Sequence, residues 1–235
     1  MSETQEFVFN SDSFSGRARL FPLPGLVLFP HVLQPLHVFE PRYREMLEDA
    51  LAGDRLITMA MLSPGWEKDY EGRPPVHRFA CLGHVATHQR LEDGRYNLLL
   101  LGLKRVEIVR ELAPGRAFRE AEVTLREDQY PPETAAARTN LRRGLLEVLG
   151  RLLKRLPQGQ QQLDQLLSGD LPLGMLTDIV SYTLDLDLQL KTELLAEVNV
   201  DRRAVMLLEH LKSTAAGMPT GTTGAIKFPP DFSDN

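Results

Sequence analysis

The 235-residue chain has one cysteine, Cys81, and one tryptophan, Trp66. A lone cysteine excludes an internal disulfide and fits a reducing compartment, so the expected location is the cytoplasm. No Gly-Lys-Ser/Thr occurs anywhere, which removes the usual phosphate-cradling loop. There is no G-x-S-x-G elbow and no Ser-x-x-Lys. These absences argue against several common hydrolase designs, and no catalytic, cofactor-binding or metal-binding residue is assigned; an enzyme of another design stays open. The start, MSETQEFVFNSDSF, is acidic and lacks the basic flank of a secretion signal. The net charge of −5 argues against general nucleic-acid binding, which draws mainly on cationic surface.

Charge is missing altogether from residues 20–39, LFPLPGLVLFPHVLQPLHVF. The length would suffice for a membrane span. Pro22, Pro24, Pro30 and Pro35 would break such a helix repeatedly, and lipid cannot satisfy the freed backbone groups. Short extended segments fit better, with strands expected at 26–29 and 34–39 and Pro-Leu-Pro-Gly as a turn.

What is present divides in two. Residues 1–16 are polar and aperiodic, a loose arm. In 40–54, Tyr43, Met46, Leu47, Ala50 and Leu51 recur at helical spacing, with Pro41 in the first turn and Gly53 past the end. Residues 55–62 read as a buried strand. The apolar runs on either side of Asp93-Gly94 predict a hairpin, and Gly102 predicts a bulge in its second strand. A further strand follows Pro114-Gly115. The composition changes at Pro131-Pro132, after which leucine dominates. Leu141, Leu145, Val148, Leu149, Leu152 and Leu156 share a helix face. Shorter helices are expected over 160–169 and after Pro172, then at LQLKTELLAEV, with Asp201 as N-cap of the last one. From 214 to 235 the chain is rich in Gly, Pro and Thr and reads as a flexible tail.

Few side chains suggest chemistry. His84 and His88 have zinc-like spacing for a helix, yet on a strand they stand about 13 Å apart, at about 3.3 Å per residue. Cys81 reads as a small buried residue. The six basic residues between 138 and 155 fall largely opposite the leucines, as a solvated face does; a contact for an acidic partner is the alternative. Trp66 and Tyr70 lie in a Gly/Pro-bracketed loop, 63–77, and are the partner-contact candidates. They either anchor a partner or fold back to plug the barrel side.

Three stretches resemble one family. LFPLPGLVLFPHVLQPLHVFEPRYREMLEDAL, GHVATHQRLEDGRYNLLLLGLKRVEIV and LTDIVSYTLDLDLQLKTELLAEVNVDRRAVMLLEHL together are similar, in order, to the substrate-binding N-terminal domain of Lon proteases. The resemblance runs from Arg19 to Lys212. It implies an α+β fold: a PUA-like β-barrel with one early helix over 17–130, followed by a C-terminal α-helical bundle over 131–213. Full Lon proteases add an ATPase with a phosphate loop and a Ser-Lys protease, whose motifs are missing here. The resemblance thus implies a non-catalytic module that binds unfolded segments or a partner protein, without cofactor or membrane. An RNA-binding PUA-like module is the alternative.

Overall fold

The computed structural model describes residues 9–153 and 171–217, with the backbone of Ser233 and Asp234. Seven strands form one sheet: β1 (Arg17–Leu23), β2 (Leu33–Val38), β3 (Leu56–Met61), β4 (Phe79–Arg90), β5 (Tyr96–Glu111), β6 (Arg119–Arg126) and β7 (Ser233–Asp234). Helix α1 (Pro41–Ala52) separates β2 from β3. Helices α2 (Arg138–Leu153), α3 (Leu173–Thr183), α4 (Leu188–Ala196) and α5 (Val200–Gly217) follow the barrel strands.

The strand order is β4-β3-β1-β6-β5-β2-β7, and β4 also pairs with β5. That extra pairing closes β1, β3, β4, β5 and β6 into a barrel and leaves β2 outside the ring. Strand β5 serves both arrangements because it is long. Its residues 96–101 lie between β4 and β2, and residues 105–107 lie between β4 and β6. Between these stretches the pairing with β4 skips a residue, since Leu82 faces Lys104 while Gly83 faces Gly102. The bulge expected at Gly102 is therefore present. Its glycine is required by close approach, because a Cβ there would lie 2.0 Å from the Phe29 carbonyl oxygen.

The barrel interior receives Ala18, Leu20, Leu56, Ala60, Ala80, Leu82, Val106, Ala121 and Val123 from all five ring strands. Four alanines suit a narrow lumen, where larger side chains from opposing walls would collide. The opposite strand faces carry Phe21, Leu23, Ile57, Met59 and Cys81. These join α1 and Leu145, Leu176, Val180, Leu194 and Leu207 of the later helices in one continuous cluster. Barrel and helices thus bury their apolar stripes against each other.

Local signals place most elements. Pro41 opens α1 at its first position. In the β4–β5 turn Gly94 takes φ 82°, and Asp93 Oδ1 accepts from the Arg95 amide at 3.0 Å. Pro22 is tolerated inside β1 because β6 pairs only with residues 17–20, so at position 22 only β3 remains alongside.

Several expectations need correction. Residues 26–29 form no strand; they cross β5 at Gly102, where the His31 amide donates to the Gly102 carbonyl at 2.8 Å. Their apolar character reflects burial of Val27, Leu28 and Phe29. Asp201 does not cap α5. Asn199 does, its side chain accepting from the amides of Asp201 (3.1 Å) and Arg202 (3.0 Å). In the N-terminal arm, Ser11–Ser13 forms a 3-10 turn, and Phe9 and Phe14 pack against the barrel-interior cluster. Helix α5 runs to Gly217, past the expected start of the tail, and Ser233–Asp234 pairs with β2. The helix expected over 160–169 lies outside the described residues.

Candidate functional site

The 63–77 loop joins β3 to β4 and is tied at its base. The Ser63 amide donates to the Pro75 carbonyl, and the His77 amide to the Met61 carbonyl, both at 2.8 Å. Between these ties Trp66–Asp69 forms a 3-10 turn, entered through Gly65 at φ 89°. Trp66 and Tyr70 meet edge to face, ring centroids 5.5 Å apart, and both are partly exposed. The Tyr70 hydroxyl donates to Glu40, at the start of α1. The Arg42 guanidinium donates to the Tyr70 carbonyl at 3.3 Å and lies 4.9 Å from the Tyr70 ring centroid. The structure therefore brings the two predicted aromatics together. Tyr70 is clasped to α1, while the residues of the turn after Trp66 face solvent.

Below this loop lies a cleft of about 270 Å³, lined in part by Arg42, Arg73, Arg116 and Arg119. Its cations are paired. Arg73 and Arg119 both reach Glu111, at 3.0 and 2.9 Å, and Arg116 pairs with Asp49. Burial would raise the Glu111 pKa, but the Arg119 and Arg73 contacts outweigh it and hold that carboxyl below its ordinary value.

The barrel–helix junction is a second constellation, and sequence reasoning missed it. Arg105 of β5 is buried and donates from Nη1 to Asp178 Oδ2 of α3 at 3.0 Å and from Nη2 to Oδ1. Its Nε donates to the Leu195 carbonyl at 3.1 Å. Arg203 of α5 donates to the two Asp128 oxygens at 2.9 and 2.7 Å, to the Glu197 carbonyl at 2.8 Å and to Thr177 Oγ1 at 3.0 Å. Asp178 and Arg203 are both 0% exposed. Such charges are tolerable in a core only when paired and fully hydrogen-bonded. Two arginines against two aspartates give a neutral set, which anchors the helices to the barrel. A signal was available: Asp178 interrupts the apolar run LGMLTDIV, and Arg105 interrupts the long strand β5. Beside this network a cleft of about 230 Å³ opens, lined by His31, Lys104, Glu127, Tyr130 and Met175 among others.

The remaining candidates are structural. Cys81 is fully buried, and burial pushes its thiol pKa well up, away from the thiolate a nucleophile needs. His84 and His88 lie on strand β4, where His84 is buried and burial lowers its pKa, while His88 is exposed. Among the described residues no group of three His, Cys, Asp or Glu could hold a metal ion. Of the basic stretch, Arg143 and Arg151 are exposed. Arg138 instead donates to Asp201 at 2.9 Å, joining α2 to α5. No helix among the described residues is long and apolar enough to cross a membrane.

A closed barrel followed by a helical bundle, joined by a buried ion network, is the geometry against which relatives can be compared. The family model for the ATP-dependent protease La (LON) substrate-binding domain matches residues 17–213. The chain belongs to this family. The N-terminal domain of a Mycobacterium avium complex Lon protease superposes with TM-score 0.65 at 18% identity, covering 84% of this chain and 98% of that one. A Lon N-terminal domain protein from Xanthomonas campestris gives TM-score 0.55 at 22% identity, covering 86% and 99%. These two likenesses concern the fold. The Lon protease of Dictyoglomus thermophilum is 26% identical over 192 residues, 82% of this chain and 24% of that protein. The chain thus spans about a quarter of the length of this Lon protease.

Proposed function

We propose that this LON substrate-binding-domain protein is a non-catalytic recognition module of the cytoplasm, holding unfolded polypeptide segments or a partner protein on apolar surface. The observation that carries the reading is the family match, which spans barrel and helices together. Trp66 and Tyr70 are the proposed contact side chains. They are paired, partly exposed and presented on a turn whose base is fixed by backbone hydrogen bonds. Aromatic pairs on such rigid mounts gain contact area at low entropic cost.

The test is a titration of the chain with casein, an unfolded model protein. Trp66→Ala is expected to weaken binding by about 2 kcal/mol, roughly 30-fold, as a central interface residue does. Its melting temperature is expected to stay near that of the parent. A variant that unfolds early, while its surviving folded fraction binds normally, overturns the role of Trp66 as an anchor. The purified chain is also expected neither to hydrolyse ATP nor to cleave casein. Casein cleavage that a point mutation in this chain abolishes overturns the non-catalytic reading.

A further inference from the structure

Strand β2 lies outside the barrel ring; among the described residues its strand neighbours are β5 along its whole length and β7 only at Leu36 and His37. Its inner edge pairs with β5 from Leu33 to Val38. Much of its outer edge is closed without a strand. The Leu33 carbonyl accepts from the Tyr182 hydroxyl at 3.3 Å, and the Pro35 carbonyl from Gln34 Nε2 at 2.8 Å. Pro35 has no N–H to offer, a common way of blunting a sheet edge. What remains is the stretch at Leu36 and His37, and the chain's own C-terminal residues occupy it. Ser233 and Asp234 pair there in parallel register, Leu36 with Ser233 and His37 with Asp234.

The surroundings suit an extended polypeptide. Leu33 and Phe39 bracket the strand and are 48% and 40% exposed. The rings of His37 and Phe39 lie 6.0 Å apart, on the side of β2 turned away from the core residues Leu36 and Val38. An edge that offers backbone pairing, with apolar side chains beside it, is how sheets capture extended segments. The sequence leading into β7, AIKFPPDF, is itself rich in large apolar residues.

We propose that the stretch of β2 at Leu36 and His37 is a docking edge for an extended segment of an unfolded polypeptide, and that the chain's C-terminal residues act there as an intramolecular competitor. The proposal rests on the recognition role argued above and locates a second contact for it, away from Trp66.

The test uses the full chain and its Asp234→Pro variant, since proline disrupts strand pairing without touching the folded unit. Two readouts are taken: amide hydrogen exchange at Leu36 and His37, and titration with casein. The variant is expected to exchange at least tenfold faster at one of these two amides and to bind casein at least threefold more tightly. Saturating casein is expected to restore protection at the same amide. A peptide of residues 226–235 is expected to compete with casein for the variant. Unchanged exchange overturns the seating of the tail. Faster exchange with unchanged casein affinity overturns the competition while leaving the recognition role intact. Absence of casein binding by either form overturns both.

Discussion

Arginine–carboxylate pairs recur across the molecule, and two groups of them sit in different settings. At the barrel–helix junction Arg105, Asp178 and Arg203 are buried, and the ion pairs join residues far apart in the chain. Around the 63–77 loop, Arg42, Arg73 and Glu111 remain partly exposed. Buried charges that lose a partner keep their desolvation cost, whereas exposed ones regain water. The junction is accordingly a fixed anchor that makes barrel and helices one body. The Tyr70 clasp at the loop, by contrast, can loosen at little cost.

The comparison is broken most directly at Asp178. Asp178→Ala leaves the buried Arg105 guanidinium without its two-bond carboxylate partner and is expected to cost about 3–5 kcal/mol in urea unfolding. Replacing Arg105 by Met and Asp178 by Leu together is expected to cost far less, because no charge is left unpaired. A single variant as mild as the double one would mean that water reaches the junction.

Gly174→Ala is next. Its Cβ would lie 2.1 Å from Asp128 Oδ2, a carboxylate that Arg203 holds by two hydrogen bonds. Helix propensity favours alanine by about 1 kcal/mol. The clash is expected to outweigh that gain and leave a net loss of about 1–2 kcal/mol, in the range for overpacking. A more stable variant would show that the network yields more readily than its pairing implies.

A pH series sharpens the contrast further. Burial would raise the Asp128 pKa, but hydrogen bonds from Arg203 and the charges of Arg203 and Arg105 outweigh it and hold the carboxyl below its ordinary value. A carboxyl depressed in the folded state stabilises fully above its unfolded pKa, about 3.9 for Asp. That stability is lost as the pH falls through the lower folded value. Melting temperature is therefore expected to drop below about pH 4. Asp128→Asn should melt lower at pH 7 and show a shallower acid limb. Parallel acid limbs in the two proteins would assign the pH dependence elsewhere.

The smallest effect is expected at the loop. Tyr70→Phe removes the hydroxyl that donates to Glu40. At this partly exposed site the loss should stay below about 1 kcal/mol, since water replaces the bond. A loss as large as that of Asp178→Ala would make the loop a second anchor and erase the distinction between the two regions.

Much of this architecture was legible in the residues. The apolar runs around Asp93-Gly94, the Pro41-to-Gly53 frame of α1 and the Pro172 start of α3 are local signals, and local signals need only backbone sterics and burial period. Trp66 and Tyr70 were legible as a pair because their loop is bracketed by Pro and Gly. The error at 26–29 has the opposite character. Its apolar run satisfies a crossing over β5 as well as it would a strand, and periodicity cannot separate the two. The capping of α5 was misassigned because Asn199 and Asp201 are both good caps, and only the chain path past Gln129 selects between them.

The sequence by itself determined that residues 20–39 could not span a membrane as a helix, since four prolines forbid it. It likewise determined a β-rich half before a leucine-rich helical half, because strand and helix periods are written in neighbouring residues. Only the tertiary structure decided that Arg105, Asp128, Asp178 and Arg203 meet. It also decided that β4 closes on β5 and that the C-terminal residues lie on β2. Each of these joins residues distant in the chain, and their pairing depends on long-range packing that no local pattern encodes.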